Sequence, residues 1–443
     1  MPSPKIKDGY IAIHGHFYQP PRENPWFEAI ETEESAYPFH DWNERIALEC
    51  YRPNAYARIL DEKGKILEII NNYSSISFNF GSTLLPWLEK NFPSVYRKIL
   101  EADRESLRKL GHGNAIAQVY NHIIMPLANE RDKETEVLWG MADFEKRFHR
   151  KPEAMWLPET AVNISTLQVL VKYGMRYLIL SPFQASRVRP FGGKRWTDVS
   201  QGRIDSTQPY RCFIEDASGK KLLDQFIDIF FYNGVISKEI AFGDLLKDGN
   251  TFGNRFTQFY QESKGRPQLI HIATDGETYG HHKKFGEMAL AYALDRGFPA
   301  RGLEVINYGA FLKRFPPVYE VEIDEGPKGE GTSWSCAHGV ERWKEDCGCS
   351  TGGRTGCNQK WRKPLREALD LLRDELSQVF EKEGEKIFKD VWEARNGYIE
   401  VILNRSPERI KSFFEQYGFK DLDEKGRFKG VKLLEMQRHA LQM

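Results

Sequence analysis

The sequence predicts an α/β fold followed by a helical region, and three observations support this prediction. From Gly9 to about Ile306, short β-prone runs alternate with longer amphipathic stretches, which is typical of βα units around a parallel sheet. Several of these runs end in polar or acidic residues, as expected where strand ends open into an active-site rim. Beyond Trp361, apolar residues recur every three or four positions, which indicates helices.

Seven strands are expected in the first region, and they should cover residues 10–14, 76–80, 115–119, 154–157, 177–181, 226–232 and 269–273. Because the carboxyl ends of parallel strands meet at one edge, polar side chains there should converge. These side chains are His14, His16, Asn79, Gln118, Glu159, Asp275 and Glu277. The Gly-, Arg- and polar-rich stretch near 191–222 is expected to be an insertion, such as a hairpin over the mouth of the fold.

The Gly-rich connector EGPKGEGTSWS, residues 325–335, predicts a domain boundary. We expect a catalytic domain over 1–325, a Gly- and Cys-rich loop segment over 326–360 and a helical domain over 361–443. An apolar stripe predicts the first helix of a packed bundle, formed by Leu365, Leu369, Leu372, Leu376 and Val379. Further helices are expected at 390–403, 407–417 and 431–443. The last run stops without a capping Gly or Pro, so we expect a helical domain that is incomplete.

Composition narrows the class of protein. The 443 residues are 40% hydrophobic, which is enough for a large core. Basic and acidic residues both number 63, so no net positive field would attract nucleic acid or an anionic membrane. Neither a signal peptide nor a run of about 18 apolar residues is evident. We expect a soluble cytoplasmic protein, and the sequence leaves its oligomeric state open.

Two segments place carboxylates directly after apolar runs. AMWLPETAVN has Glu159 behind Pro158, which forces the chain out of the sheet, and LIHIATDGETYGHH has Asp275 and Glu277. Two carboxylates from separate strand ends suit glycoside cleavage, in which one attacks the anomeric carbon and the other protonates the leaving oxygen. The alternative is that each acidic residue caps the helix that follows.

Two further segments are rich in polar residues. In IAIHGHFYQPPRENPW, His14 and His16 lie on the same side of a strand end, where they suit either a metal ion or hydrogen bonds to sugar hydroxyls. The segment GHGNAIAQVYNH is more polar than a buried strand requires. It contributes His112, Asn114, Gln118, Asn121 and His122.

Taken together, these segments resemble glycoside hydrolase family 57. HGHFYQP is similar to the first family motif with Phe17 and Tyr18 inserted, MWLPE to the third and DGETYGHH to the fourth. The resemblance implies a distorted, TIM-like (β/α)7 barrel with an adjoining helical bundle, α-glucan substrates and retention of anomeric configuration. It also implies that Glu159 is the nucleophile and Asp275 the general acid/base. The second motif departs from the family, because GNAIAQVYNH lacks its glutamate, and the fifth motif is not identifiable.

The implied mechanism is a double displacement that requires no cofactor, on an α-glucan or maltooligosaccharide. Because Asp275 must hold a proton near neutral pH, we expect its pKa to be raised by partial burial and by the negative charge of Glu159. The residues expected to bind substrate are His14, His16, Gln19, Trp26, His112, Asn114, His122, Trp156, Glu277, Tyr279, His281 and His282. Further aromatic candidates for the sugar cleft are Tyr18, Trp42 and Phe80.

The segment SCAHGVERWKEDCGCSTGGRTGC is dense in potential metal ligands: Cys336, Cys347, Cys349, Cys357 and His338. A structural zinc ion or an iron–sulfur cluster, disulfides, and free thiols in a substrate-side loop all remain open. A similar segment marks a Cys-rich branch of family 57, where it suggests a loop near the active site. Trp334, Trp343 and Trp361 lie beside it in the sequence and could stack on sugar.

Within the leading hypothesis, amylase, 4-α-glucanotransferase and branching activity are expected in that order. One alternative is a metal-dependent carbohydrate enzyme of the α-mannosidase or deacetylase type. In that enzyme His14, His16, Asp275 and either His281 or His282 would bind zinc. The other alternative is a glycan-binding protein without catalysis.

Overall fold

The computed structural model describes residues 6–216, 218–349, 354 and 356–443, and it divides into two compact units. The first unit comprises Met1–Gln118, Pro152–Trp156 and Gly174–Asp324. The second comprises Val119–Lys151, Leu157–Tyr173 and Glu325–Met443. The second unit therefore takes in two segments that precede residue 325 in the sequence. The predicted domain limits stay a prediction.

All strands of the described residues lie in the first unit. In chain order they are β1 (Gly9–Phe17), β2 (Glu23–Asn24), β3 (Ala29–Ile30), β4 (Ala57–Leu60), β5 (Ile66–Ile70), β6 (Ser77–Phe80), β7 (Ala117–Gln118), β8 (Met155–Trp156), β9 (Tyr177–Leu180), β10 (Ala185–Pro190), β11 (Thr197–Asp198), β12 (Tyr210–Glu215), β13 (Lys221–Phe231), β14 (Gln268–Asp275), β15 (Leu303–Val305) and β16 (Tyr319–Ile323).

Seven of these strands correspond to the predicted ones and are linked in parallel. β1 pairs with β14 and with β6, β7 with β8, and β9 with β13. A single parallel bridge between Phe78 and Ala115 links β6 to the residues just before β7. A second one, between Ala154 and Tyr177, links the residue before β8 to β9. The Asn233 N–H, just after β13, donates to a carbonyl of β14. The seven predicted strands are confirmed, and together with the helices they make an α/β fold.

The amino-acid pattern of β1 explains its central place. Its sequence GYIAIHGHF is buried along all nine residues, which is typical of a parallel strand covered on both faces. Around its end, the rings of Phe17 and Phe80 stack at 4.8 Å, and Tyr73 packs edge-on against Phe17 at 5.3 Å. Aromatic packing therefore fixes the end of β1, where the polar residues of interest begin.

A hairpin begins in the stretch near 191–222 and extends beyond it. β12 and β13 pair antiparallel from Tyr210 to Glu215, and β13 then continues into its parallel pairing with β9. β10 pairs antiparallel with β11 and with β16. One long strand thus belongs to both the antiparallel region and the parallel series.

Among the described residues, no helix combines the length and apolar character needed to cross a bilayer. The α-helices are α1 (Trp42–Ile46), α2 (Arg52–Ala55), α3 (Leu84–Asn91), α4 (Pro93–Leu110), α5 (Glu130–Phe148), α6 (Ile164–Lys172), α7 (Gly234–Phe242), α8 (Gly249–Thr257), α9 (Gly286–Tyr292), α10 (Phe298–Ala300), α11 (Tyr308–Arg314), α12 (Arg362–Gly384), α13 (Val391–Gly397), α14 (Ile399–Leu403), α15 (Pro407–Tyr417) and α16 (Glu424–Ala440).

The helices of the second unit share an aromatic core. Trp139 of α5, Phe380 of α12 and Phe413 of α15 belong to one buried cluster. Side-chain caps define the starts of α13 and α16: Asp390 accepts from backbone N–H groups of α13, and Asp423 accepts from one of α16. The cap at Asp423 explains why the last helix begins earlier than predicted.

The prediction that the apolar stripe of α12 packs into the core of a bundle is wrong. The helix is present, but Leu365, Leu372 and Val379 are 48%, 44% and 46% exposed. The side chain of α12 that enters the core is Phe380, one position beyond the stripe. An aromatic ring buries more area than a leucine, so Phe380 sets the rotation of the helix and leaves the stripe partly in solvent.

A buried ion pair joins α13 to α5. The Arg395 guanidinium donates to Asp132 at 2.7 Å and to the Thr135 hydroxyl at 2.8 Å, and these two charged side chains are only 2% and 9% exposed. We predict that Arg395→Ala lowers the free energy of unfolding by about 3–5 kcal/mol, because it leaves the Asp132 charge buried and unpaired. Urea denaturation measures the change.

The matched control is Lys411→Ala, which breaks the exposed Lys411–Glu415 pair on α15. Its effect should stay below about 1 kcal/mol. Equal effects of the two substitutions would contradict a special role for the buried pair.

Candidate active site

Glu159 lies in a strained turn of the second unit. The turn Pro158–Thr160 follows β8 in the sequence, as Pro158 predicted, and Glu159 has φ 59° and ψ 15°. Thr160, next in sequence, also has a positive φ of 51°. Residues with a side chain adopt this left-handed conformation rarely and at a cost of roughly 1–3 kcal/mol each, and such residues cluster at functional sites.

The last two residues of the Gly-rich connector, Trp334 and Ser335, hold the Glu159 side chain. The indole N–H of Trp334 donates to Glu159 Oε2 at 2.8 Å, and the Ser335 hydroxyl donates to the same oxygen. The backbone N–H of Trp334 also donates to the Glu159 carbonyl at 2.9 Å. Among the described residues, none donates to Oε1. The carboxylate is thus fixed through one oxygen, and the other is available for chemistry.

The connector itself is bound to the segment after Glu159. Val162 and Thr332 form an antiparallel bridge, and the Ile164 N–H donates to the Glu325 carboxylate at 2.9 Å. Gly331 has φ +118°, and a Cβ there would lie 2.6 Å from the Val162 carbonyl oxygen. The connector is Gly-rich at this point because only glycine permits so close an approach.

Glu159 lines a cavity of about 450 Å³ within the second unit. The predicted residues His122, Trp343 and Trp361 line it as well. Indole rings offer flat apolar faces that suit the C–H faces of sugars. The cavity also contains polar residues that sequence analysis did not select: Arg342, Arg362, Arg366 and Arg373.

The acidic residues of the first unit occupy unlike environments. Asp275 ends β14 opposite His16 of β1 and is exposed, so the expectation that it is partly buried is wrong. Asp275 is the last residue of the strand, where the chain leaves the sheet. Glu277, in the turn Gly276–Thr278, takes the buried position instead and is 7% exposed.

Glu277 is held in its neutral form. Its Oε1 accepts hydrogen bonds from the Tyr51 hydroxyl at 2.7 Å and from the Tyr18 backbone N–H at 3.2 Å. Burial raises the pKa of Glu277 to about 8; the bond from Tyr51 acts in the opposite direction, and the charge of Asp275 adds to the rise. Near neutral pH, Glu277 therefore carries a proton.

His14 and His16 converge on Asn79, as their spacing predicted. The Asn79 amide accepts from His14 Nε2 at 3.1 Å and donates to His16 Nδ1 at 2.9 Å. Trp156 stacks on both imidazoles, at 4.7 and 5.0 Å. Burial lowers the pKa of His14 to about 3 and that of His16 to about 4, so both rings are neutral hydrogen-bonding groups.

Some of the expected substrate-binding residues have protein partners instead. His112 pairs with Glu153 at 2.8 Å, and the Asn114 amide donates to the Tyr73 carbonyl at 3.0 Å. Both are buried. Tyr279 is also buried, and its hydroxyl contacts Thr274. These groups stabilise the fold around the strand ends.

The remaining expected residues lie nearer the surface. Gln19 accepts from Arg22 at 3.0 Å, and Trp26 is 87% exposed. The backbone N–H groups of His281 and His282 both donate to the Glu277 carbonyl, and the His281 ring pairs with Glu49. The segment after Glu277 thus closes the turn that buries it.

The potential metal ligands of the first unit do not come together. Among the described residues, the group whose ligand atoms lie within 4.8 Å of one another is Cys336, His338, Cys347 and Cys349. His14, His16 and Asp275 form no such group with either His281 or His282. Cys357 is exposed and lies outside this group, so its expected place among the ligands stays a prediction.

Sequence reasoning missed Ser335, Arg342 and Tyr51. Ser335 follows a tryptophan at the end of a Gly-rich connector, and this local pattern was its one signal. Arg342 donates to the Ser335 carbonyl at 2.9 Å, and Tyr51 reaches Glu277 from 226 positions away. A contact over 226 positions leaves no trace in local sequence.

Two protein-family models match the chain. The model of glycosyl hydrolase family 57 matches residues 10–324, and the chain belongs to this family. A second family model, a domain of unknown function (DUF3536), matches residues 357–443. Family membership confirms the predicted class of enzyme, a glycoside hydrolase of family 57. A search of curated protein sequences found no match.

Solved structures show the same fold at low identity. An exo-type maltose-forming amylase from Pyrococcus sp. ST04 is 16% identical with a TM-score of 0.66, over 98% of this chain and 73% of that one. A family 57 branching enzyme from Pyrococcus horikoshii is 15% identical with a TM-score of 0.57, over 98% and 88%. The α-amylase AmyC from Thermotoga maritima is 11% identical with a TM-score of 0.56, over 98% and 99%.

The buried Glu277 carboxyl predicts a pH-dependent stability. From the usual glutamate pKa of 4.5 up to about 8, the unfolded chain has released this proton and the folded chain keeps it. Unfolding therefore releases a proton in this window, and stability falls as pH rises, by at most about 1.4 kcal/mol per pH unit. We predict that Glu277→Gln flattens this fall between pH 5 and 8, measured by urea denaturation.

Glu262→Gln, at a surface carboxylate of the same unit, is the control and should leave the pH dependence unchanged. If the Glu277 and Glu262 variants both follow the parent protein across the window, Glu277 is ionised in the folded state and the assignment fails.

Proposed function

We propose that this chain cleaves α-glucans with retention of configuration, with Glu159 as nucleophile and Asp275 as general acid/base. We further propose that its parallel strands form a seven-stranded (β/α) barrel and that α12–α16 form a helical bundle. Hydrolysis is the leading reaction, with transfer to a sugar acceptor as its variant.

The conformation of Glu159 carries the proposal. Two consecutive non-glycine residues in the left-handed region, Glu159 and Thr160, are costly, and a dedicated bridge between Val162 and Thr332 stabilises the segment that follows. Trp334 and Ser335 both use their donors on one oxygen of Glu159. A helix cap needs none of this, whereas a nucleophile needs a fixed orientation.

The first half of the reaction forms a covalent intermediate. Glu159 Oε1 attacks the anomeric carbon, and the bond from that carbon to the glycosidic oxygen breaks. The proton of Asp275 goes to the departing oxygen, which leaves Asp275 ionised. Trp334 and Ser335 keep Oε2 in place, so that Oε1 approaches in one orientation.

In the second half of the reaction, Asp275 acts as a base and Glu159 is the leaving group. Ionised Asp275 takes a proton from water or from a sugar hydroxyl, and the resulting oxygen attacks the anomeric carbon. The bond to Glu159 then breaks and restores both carboxyl groups. Water gives hydrolysis and a sugar gives transfer.

Glu277 supports this cycle by staying neutral. It lies two positions from Asp275, and a second negative charge there would oppose the ionised form of Asp275. Burial keeps the proton on Glu277 near neutral pH, although the bond from Tyr51 acts in the opposite direction. We propose that neutral Glu277 favours the ionised form of Asp275, which is the form that takes a proton in the second half of the reaction.

Several observations support an α-glucan as substrate. Glucose rings are uncharged, and the neutral His14 and His16 suit hydrogen bonds to hydroxyl groups. Trp343 and Trp361 line the cavity beside Glu159. The similar structures are described as a maltose-forming amylase, a branching enzyme and, at a TM-score of 0.50 and 14% identity, a 4-α-glucanotransferase from Thermococcus litoralis.

Substitution of the two carboxylates tests the proposal. Glu159→Gln keeps an acceptor for Trp334 and Ser335 but removes the nucleophile, and Asp275→Asn removes the exchangeable proton. We predict that each lowers kcat on maltooligosaccharides by roughly 10³-fold or more. Chromatography of the products measures the rate, and proton NMR of the first product shows its anomeric configuration.

Added azide separates the two roles. Azide fits the space left by a shortened nucleophile, so Glu159→Ala should form a glycosyl azide of inverted configuration, whereas Asp275→Ala should form one of retained configuration. Glu408→Gln, at an exposed carboxylate of α15, is the control and should behave as the parent protein. Full activity of either folded isosteric variant, or an inverted first product, would disprove the assignment.

A further inference from the structure

Four ligand-type side chains converge on one point in the segment after the connector. Cys336, His338, Cys347 and Cys349 bring their sulfur and nitrogen atoms within 4.8 Å of one another. Cys336 is buried, and Cys347 and Cys349 are partly buried. We propose that these four residues bind one tetrahedral Zn²⁺ ion.

The separations match a single tetrahedral ion. Cys336 Sγ lies 3.9 Å from Cys347 Sγ and 3.8 Å from Cys349 Sγ, and Cys349 Sγ lies 3.4 Å from His338 Nδ1. With Zn–S near 2.3 Å and Zn–N near 2.0–2.1 Å, tetrahedral angles place two sulfurs about 3.8 Å apart and a sulfur and nitrogen about 3.5 Å apart. These three separations match a single zinc ion, and all four ligand atoms lie within 4.8 Å of one another.

Other uses of these cysteines fit the geometry less well. A disulfide requires about 2.05 Å between sulfurs, and all six cysteines of the chain are free. An iron–sulfur cluster places several iron and sulfide atoms among its thiolates and needs them farther apart than a single ion does. Three thiolates and one imidazole are a common ligand set for structural zinc.

The backbone turns are shaped for this convergence. Gly348, between Cys347 and Cys349, has φ +82°. Gly339 has φ +84°, and a Cβ there would lie 2.5 Å from the Gly331 carbonyl oxygen. Both turns need glycine. They bring ligands that are up to 13 positions apart in the sequence to one point.

The ion would also stabilise the residues that hold Glu159. Cys336 directly follows Ser335, and Arg342, within the loop that the ion closes, donates to the Ser335 carbonyl at 2.9 Å. Zinc would therefore fix Trp334 and Ser335 as positioning residues for the carboxylate. This positioning role of the ion rests on the proposed function, whereas the binding of zinc by the four residues does not.

Metal analysis tests the site without reference to activity. Protein purified without chelators or metal-affinity resin should contain one zinc per chain by plasma mass spectrometry. Cys336→Ser, Cys347→Ser and His338→Ala should each lower the content at least tenfold, and the matched control Cys357→Ser should retain it. Cobalt in place of zinc should give the strong visible bands of a tetrahedral thiolate site. Absence of metal from the parent protein, or its loss in the Cys357 variant alone, would overturn the site.

His338→Cys keeps the test meaningful if the other variants fail to fold. Four thiolates also form a tetrahedral site, so this variant should retain zinc and show a cobalt spectrum shifted by the new sulfur ligand. Retained zinc with an unchanged cobalt spectrum would exclude His338 as a ligand.

Kinetics test the link to Glu159. Loss of zinc in a variant that keeps its circular dichroism spectrum should lower kcat at least tenfold with little change in KM, to the level of Trp334→Phe, which removes the indole donor. His338→Cys should restore kcat. Unchanged kcat after loss of zinc would disprove the positioning role and leave the metal site intact. Inactivity of the zinc-loaded parent on α-glucans would refute the proposed function instead.

Discussion

The hydrogen bonds that Trp334 and Ser335 donate to one oxygen of Glu159 are the interaction on which the candidate site depends. They require that the connector lie against the segment after Glu159, which in turn requires a glycine at position 331. The strained turn at Glu159 is tolerable because these contacts outweigh its cost. The local backbone, the connector and the carboxylate therefore form one arrangement in the second unit.

In the first unit, titratable side chains are buried in their uncharged forms. His14 and His16 are neutral because burial lowers their pKa, and Glu277 is neutral because burial raises its own. Asn79, Tyr51 and Trp156 supply the partners. A layer of neutral hydrogen-bonding groups suits a substrate that carries hydroxyl groups and no charge. Asp275 is exposed at the end of β14, next to this layer.

The sequence predicted the seven parallel strands and the positions of Glu159 and Asp275 at strand ends, because buried parallel strands are short apolar runs and Pro158 and Gly276 mark where the chain leaves them. The catalytic roles of the two carboxylates stay a prediction. It failed where a residue's environment depends on distant contacts. The burial of Glu277 in place of Asp275 depends on Tyr51, and the rotation of α12 depends on Phe380. His338, rather than Cys357, completes the cysteine group because Gly339 and Gly348 bend the loop.

The central claim is that Glu159 forms a covalent bond to the substrate, and chemical trapping tests it most directly. A glucosyl fluoride that carries a second fluorine on the ring slows both steps, but its good leaving group lets the intermediate form and accumulate. Peptide mass spectrometry of the trapped protein should find the sugar on Glu159, and no labelled peptide should be found for Glu159→Gln. A label on Asp275 or Glu277, or turnover of the reagent with an inverted product, would contradict the account.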